Sequence, residues 1–148
     1  MLPLLHEKLR HAGLRYEIIV VDGGSQDDTA AKAESHGARV HRQIERGYGS
    51  ALKEAFALAH GRHIVTMDAD YSHDPNFVLA LWEARSKGAV VVASRYVEGG
   101  ASEAGWFRST LSKILNVTYR RVLSLPVHDL SSGFRIYNRR ALAELSIE

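Results

Sequence analysis

Two carboxylates stand one residue apart in the stretch DADYSHDP, directly after the apolar run HIVTM. Residues i and i+2 of a strand point to the same face, so Asp68 and Asp70 can approach one site at a strand end. Like charges at this spacing repel each other unless a cation lies between them. With the Ser72 hydroxyl, the candidate ligands are all hard oxygens, which favours Mg²⁺ or Mn²⁺ over zinc. The stretch therefore predicts a divalent metal site that a diphosphate substrate would complete.

The composition limits the class of protein in which such a site would lie. With 148 residues, 45% of them hydrophobic, the chain predicts one globular domain with a core of its own. Lys and Arg total 19 against 17 Asp and Glu, without a basic block, so we expect no nucleic-acid partner. The absence of cysteine excludes disulfides and thiolate sites and is typical of the cytoplasm. No apolar run reaches the roughly 20 residues of a membrane span, which indicates a soluble or peripheral protein.

The elements that must position the carboxylates alternate between strand and helix patterns. EIIVV is typical of a strand buried on both faces, and the runs ARVHR, HIVTM and AVVVASR predict further strands. Ser25 and Asp28 have the spacing of a capping box for a helix that ends near His36, while Asp74 and Pro75 predict the start of a helix that runs to about Lys87. The alternation predicts an α/β fold, an open and mostly parallel sheet with helices on both faces. Such sheets bind ligands at the carboxyl ends of their strands.

The pattern changes after residue 95. A loop is expected there, followed by a long amphipathic helix over 107–122 whose basic side could rest on a lipid surface. PVHDLSSGFRIYN is predicted to be extended or to form a hairpin, and RRALAEL begins a last helix.

Six motifs, taken together, resemble one known family. EIIVVDGGSQDDT, GYGSALKEAF, MDADYSHDP, SRYVEGG, GWFRSTLSKILN and HDLSSGFRIYNRRAL follow one another as they do in glycosyltransferase family 2, with its Rossmann-like GT-A fold. Within that family they are most similar to the dolichyl-phosphate (polyprenyl-phosphate) mannose synthases. Members of the family begin with a strand that ends in a Pro-x-x-Asn-Glu type of motif, which this chain does not show. The resemblance therefore implies a single catalytic domain over 1–148 that lacks the first strand.

The resemblance implies a specific reaction. Mannose would be transferred from GDP-mannose to a polyprenyl (dolichyl-type) phosphate with inversion, which gives a β-mannosyl phospholipid. Mg²⁺ or Mn²⁺ would be the cofactor, and the enzyme would work in the cytoplasm, peripherally at the cytosolic face of a membrane. An oligomer or a membrane partner subunit is possible by the same resemblance.

The resemblance also implies roles for individual residues. Those implied in catalysis are Asp70, Asp129 and Arg135, and those implied in metal binding are Asp68, Asp70 and Ser72. Residues implied in substrate binding are Asp22, Gly23, Asp68, Arg95, Arg108 and Ser112. Asp22 matches a position that contacts the base or ribose. Gly23 departs from the pattern, since the family usually has a second Asp there, but glycine still lets the backbone approach a ligand.

Other interpretations remain open on the residues alone. A haloacid-dehalogenase type of phosphohydrolase would use Asp68 as its nucleophile, although that motif normally follows the first strand of its domain. A non-catalytic nucleotide-sugar binding fragment is the third possibility. The arginines could be ordinary solvated side chains, the Asp pair ordinary loop carboxylates, Asp129 a turn residue and Asp22 the cap of a turn. The histidines show no ligand spacing, so we expect them at the surface or beside the site.

Overall fold

The computed structural model describes residues 1–70, 72–94 and 132–144. The helices in these ranges are α1 Leu2–His11, α2 Thr29–Ser35, α3 Tyr48–Leu58, α4 Val78–Ala84 and α5 Arg139–Glu144, with a 3₁₀ turn at Pro75–Phe77. The strands are β1 Ile19–Asp22, β2 Arg39–Arg42, β3 His63–Thr66, β4 Val90–Val92 and β5 Arg135–Asn138. The predicted helix over 107–122 lies outside these ranges. None of the described helices has the length and apolar character needed to cross a membrane.

The chain divides into two compact units. One consists of Met1–Ile64 with Asn138–Glu148, and the other is Val65–Tyr137. The single domain expected from the sequence stays a prediction.

The first unit contains a parallel β-α-β arrangement. β1 and β2 pair in parallel, from Ile19 opposite Arg39 to Asp22 opposite Arg42. Parallel strands need a crossover connection, which α2 provides while it packs on both strands. α3 follows β2 and packs on β1. The parallel pairing confirms the prediction from the alternating pattern, and it brings the carboxyl ends of both strands to one edge.

His6, which no sequence pattern singles out, connects α1 to the end of α2. The Nε2 atom of His6 lies 2.6 Å from the carbonyl oxygen of His36, and its Nδ1 lies 2.7 Å from the hydroxyl of Tyr16. A carbonyl oxygen only accepts, so Nε2 donates to His36 while Nδ1 accepts from Tyr16. The chain then leaves α2 through Gly37, whose φ of +79° favours glycine.

The second sheet has the strand order β3-β5-β4, with β4 and β5 antiparallel. The core residues of the second unit are Val78, Leu81, Phe134, Ile136 and Tyr137, all buried. The two middle residues of β5 are both buried, and Ile136, at 2% exposure, is the most enclosed large side chain among the described residues. The sequence predicts that the segment PVHDLSSGFRIYN is extended or forms a hairpin. Its last four residues are confirmed as extended in β5, and its residues 126–131 lie outside the described ranges.

Two predicted helix starts have different outcomes. The Asp74 carboxylate accepts a hydrogen bond from the Asn76 N–H at 2.9 Å, which confirms Asp74 as a cap, although a 3₁₀ turn precedes α4 and the helix ends at Ala84 rather than near Lys87. The capping box at Ser25 is wrong. α2 begins only at Thr29, because the hydroxyl and N–H of Ser25 donate to the carboxylate of Asp22 instead.

We expect replacement of Ile136 by Ala to lower the free energy of unfolding by about 2–5 kcal/mol, because truncation leaves a cavity in a packed sheet. The matched control is Ile44→Ala, since Ile44 is 81% exposed and its loss should change stability by less than about 0.5 kcal/mol. Urea unfolding midpoints of the two variants measure the difference. Equal midpoints would contradict the position of Ile136 in the core.

Candidate functional site

A polar pocket of about 340 Å³ opens at the carboxyl ends of β1 and β2 in the first unit. Its lining consists of residues from the loops that follow the two strands: Gly23, Gly24, Ser25, Gln26, Arg42, Gln43, Ile44 and Arg46. Two guanidinium groups and no carboxylate belong to this set. Because arginine keeps its charge and pairs well with phosphate oxygens, the pocket favours an anionic ligand.

The loop after β1 is shaped by Asp22, which is 9% exposed. Its Oδ1 atom accepts from the Ser25 N–H at 3.0 Å and from the Ser25 hydroxyl. These two bonds, the hydroxyl first, hold the pKa of the Asp22 carboxyl below its ordinary value. Gly24 adopts a φ of +102°, which allows the tight turn that brings Ser25 back to Asp22. Asp22 thus caps the turn that carries the pocket wall without lining the pocket, and its contact with a base or ribose stays a prediction.

The loop after β2 is held by Glu54 of α3. Its carboxylate accepts from the N–H of Ile44 at 3.0 Å and of Glu45 at 3.1 Å, and its Oε2 lies 2.6 Å from His41 Nε2. Burial by itself raises the pKa of Glu54, but the hydrogen bonds from Glu45, Ile44 and His41 outweigh it and leave the pKa lowered. Sequence reasoning missed Glu54, because a single Glu inside an amphipathic helix carries no signal of its partner.

In the second unit, Asp68 and Asp70 follow β3, as predicted. The Asp70 Oδ1 atom accepts from the Ser72 N–H at 2.9 Å. The Ser72 hydroxyl and then this N–H hold the pKa of Asp70 below its ordinary value, so the carboxylate is ionised at neutral pH. The Asp68 side chain is 46% exposed and can be reached by a solvated ion. The structure therefore brings together Asp68, Asp70 and Ser72 on one loop.

His73 holds this loop through a hydrogen bond to the backbone of Asp68. It is 9% exposed and its ring stacks on Phe134 with the ring centroids 5.2 Å apart. Nδ1 accepts the N–H of Asp68 at 2.9 Å, while Nε2 lies 3.7 Å from Asp68 Oδ2. The bond to Nδ1 fixes the backbone of Asp68 at the strand end. His73 thus lies beside the predicted site, one of the two positions expected for the histidines, and it is buried there.

The candidate ligands in the loop after β3 offer only oxygen atoms to a divalent ion. Within the described ranges, no group of three or more Asp, Glu or His side chains is arranged to hold a metal. Mg²⁺ and Mn²⁺ sites, however, often use one or two carboxylates and take their other ligands from water and substrate phosphates. The ionised Asp70, the accessible Asp68 and the neighbouring Ser72 fit an ion that is shared with a diphosphate.

Arg135 opens β5, where it is partly buried. Its Nε donates to the carbonyl oxygen of Ser132 at 2.7 Å, which holds the turn before the strand. Thr66 at the end of β3 donates to the carbonyl oxygen of Gly133 at 2.7 Å, in the same turn. The remaining predicted residues lie outside the described part of the chain: Arg95, Arg108, Ser112 and Asp129. The catalytic and substrate-binding roles of these residues and of Arg135 stay predictions.

Comparison with known proteins identifies the family. The sequence model described as Glycosyl transferase family 2 matches residues 1–146. This chain belongs to glycosyltransferase family 2. Membership confirms the resemblance drawn from the six motifs, and it leaves the haloacid-dehalogenase alternative without support.

The family member is similar to two curated mannosyltransferases over most of its length. It is 35% identical to the polyprenol monophosphomannose synthase of Mycolicibacterium smegmatis over 99% of this chain and 60% of that protein. It is 39% identical to the dolichol-phosphate mannosyltransferase of Pyrococcus furiosus over 82% of this chain and 37% of that protein. The chain thus spans less than two thirds of the length of each of these relatives.

Solved structures confirm the predicted GT-A fold for this family member. Mannosyl-3-phosphoglycerate synthase from Rubrobacter xylanophilus aligns with a TM-score of 0.68 and 22% identity, over 94% of this chain and 48% of that one. Glucosyl-3-phosphoglycerate synthase from Mycobacterium tuberculosis, in complex with Mn²⁺ and UDP-glucose, aligns with a TM-score of 0.63 and 29% identity. The alignment covers 86% of this chain and 46% of that one. A shared fold of this kind does not fix the substrate.

The lowered pKa of Asp22 predicts an acid-dependent contribution to stability. A carboxyl whose folded pKa is depressed stabilises the fold above its unfolded pKa, near 4, and loses that effect as the pH falls through the folded value. We expect Asp22→Asn to have a lower urea midpoint than the unsubstituted chain, with the largest difference at about pH 6–7. The difference should shrink below about pH 4. Ser25→Ala removes one of the bonds and should reproduce part of the loss. A difference that stays constant down to pH 3 would contradict this origin.

Proposed function

We propose that the chain is an inverting glycosyltransferase that transfers mannose from GDP-mannose to a polyprenyl (dolichyl-type) phosphate. The product is a β-mannosyl phospholipid, made peripherally at the cytosolic face of a membrane. The observation that carries the proposal is the accessible pair Asp68 and Asp70 after β3, with Asp70 held ionised, in a chain 35% identical to a polyprenol monophosphomannose synthase.

The pocket at the ends of β1 and β2 supports binding of the donor nucleotide. Its volume of about 340 Å³ lies within the range of small-molecule sites, and it stands at the edge where open α/β sheets bind ligands. Arg42 and Arg46 supply positive charge for a phosphorylated ligand. Glu54 fixes the loop between them through its bonds to Ile44 and Glu45, so the pocket wall is ordered before the donor arrives.

The carboxylate loop supports departure of the nucleoside diphosphate. Asp68 and Asp70, with Ser72, would hold Mg²⁺ or Mn²⁺, and a bound divalent ion supplies Lewis-acid neutralisation of the charge that develops on the diphosphate. His73 keeps the backbone of Asp68 in place, which limits the movement of the ligand side chain. The Mn²⁺ complex of the glucosyl-3-phosphoglycerate synthase supports the choice of ion.

The bond-forming step needs little acid–base chemistry. An oxygen of the lipid phosphate attacks C1 of the mannosyl group on the face opposite to GDP, and the C1–O bond to GDP breaks with its electron pair on the diphosphate. The nucleophile is already anionic at neutral pH, so the protein must position it and balance its charge. Arg135 is proposed to meet phosphate in this role, together with Arg95, Arg108 and Ser112, and Asp129 is proposed to act near the sugar and acceptor.

Substitution of the loop carboxylates tests the proposed ion site. We expect Asp70→Asn and Asp68→Asn each to lower transfer about 100-fold or more, because stabilisation of the leaving group is lost. Asp74→Asn is the matched control in the same loop, since Asn still caps the 3₁₀ turn that Asp74 begins. Transfer is measured with radiolabelled GDP-mannose over a range of Mn²⁺ concentrations. Equal activity of all three variants would exclude Asp68 and Asp70 as ligands.

Calorimetric titration tests the donor. We expect GDP-mannose to bind the chain more tightly than UDP-glucose, and more tightly with Mg²⁺ or Mn²⁺ than without, since an ion held by Asp68 and Asp70 would supply positive charge for the diphosphate. A transfer assay with polyprenyl phosphate follows. Metal-dependent binding without transfer would favour the alternative of a non-catalytic nucleotide-sugar binding protein. If neither nucleotide sugar binds a chain that circular dichroism shows to be folded, the proposed function is wrong.

A further inference from the structure

The side chain of Gln43, the residue that follows β2, is fixed by two hydrogen bonds. Its Nε2 atom donates to the carbonyl oxygen of Gly47 at 2.7 Å and also to that of Glu45. Its own N–H donates to the carbonyl oxygen of Asp22 at 2.8 Å, which continues the pairing of β1 with β2. Both ends of the residue are therefore tied to the loops that line the pocket.

These bonds decide which way the amide faces. The oxygen and nitrogen of a glutamine amide are nearly alike in shape, so their assignment follows from the partners. A flipped amide would place Oε1 against two carbonyl oxygens, which only accept. With both Nε2 hydrogens used by the carbonyls, Oε1 faces Gly23, where a Cβ would lie 3.3 Å from it. In the part of the chain that the structure describes, no group donates to this oxygen.

The pocket has few other oriented side-chain acceptors. Its lining contains no Asp or Glu, and the hydroxyl of Ser25 donates to Asp22. Arg42 and Arg46 only donate. Gln26 is exposed, and no hydrogen bond to a described residue fixes its amide as the amide of Gln43 is fixed. Oε1 of Gln43 is thus the oriented side-chain acceptor that a ligand would meet beside Gly23.

We propose that Gln43 selects the base of the donor nucleotide, an inference that rests on the proposed function. Oε1 accepts a hydrogen bond from the ring N–H of a keto base, N1–H of guanine or N3–H of uracil. Adenine and cytosine carry a bare ring nitrogen at the corresponding position, so in the same orientation its lone pair would face the lone pairs of Oε1. A site built around a fixed acceptor disfavours such ligands, because they must either leave the acceptor unpaired or shift to present their exocyclic amino group. Because Gly23 has no Cβ, no side chain of that residue crowds Oε1.

Binding of four nucleotides tests the selection. The dissociation constants of GDP, UDP, ADP and CDP are measured by calorimetry with Mn²⁺ present, for the unsubstituted chain and for Gln43→Leu. We expect the keto bases to bind about tenfold more tightly than the amino bases in the unsubstituted chain, and Gln43→Leu to abolish that ratio. The ratio of GDP to UDP identifies which keto base the pocket prefers.

A second pair of variants leaves the Gln43 side chain in place. Gly23→Ala places a Cβ against Oε1, and the two bonds of Nε2 prevent the amide from moving aside freely, so the keto preference should fall severalfold. Gly49→Ala is the matched control, because Gly49 lies in α3 with no atom within 4 Å of the added carbon. It should leave the ratio unchanged.

The possible failures can be told apart. Equal binding of all four nucleotides to the unsubstituted chain would overturn the role of Gln43 while the proposed transferase function stands. A uniform loss of affinity in Gln43→Leu, with the ratio retained, would also overturn it, because it would show that Gln43 only supports the loop. Absence of binding by every nucleotide would overturn the inference and the proposed function together.

Discussion

Backbone N–H groups that lose their partners where a strand ends impose the main constraint on this structure. Each backbone N–H is a strong donor that needs an acceptor, and in the loops after β1, β2 and β3 a side chain supplies it. After β1, the carboxylate of Asp22 takes the N–H of Ser25. After β2, the carboxylate of Glu54 takes those of Ile44 and Glu45. The pocket between these loops has its shape because two carboxylates hold its walls and are thereby turned away from its lining.

The same constraint organises the loop after β3. His73 accepts the N–H of Asp68, and Asp70 accepts that of Ser72. The imidazole of His73 is buried against Phe134, so the bond lies on a packed support. Carboxylates that accept such bonds keep their charge more readily, which is what a divalent ion requires of its ligands. Closing the loop and preparing the ion site are therefore one arrangement of residues.

Local patterns in the sequence predicted the helices and strands well where one signal dominated. The apolar runs became β1 to β4, and Asp74 with Pro75 became a cap and the first residue of a helical turn. The prediction failed where two residues competed for one role. Ser25 and Asp28 are both favoured at helix starts. The nearby carboxylate of Asp22 engaged Ser25, so α2 began at Thr29. Propensity could not decide this, because it depends on an acceptor from the preceding strand.

The sequence by itself determined the family, the alternation of strands and helices, and the place of Asp68 and Asp70 after a strand. These features depend on the order and spacing of residues along the chain, which can be read without coordinates. Only the tertiary structure decided that Glu54 holds the pocket loop, that His73 is buried beneath Asp68, and that the amide oxygen of Gln43 faces Gly23. Each of these contacts involves backbone atoms that folding brings to a side chain. Every residue has the same backbone, so the sequence does not indicate which backbone atoms a side chain will meet.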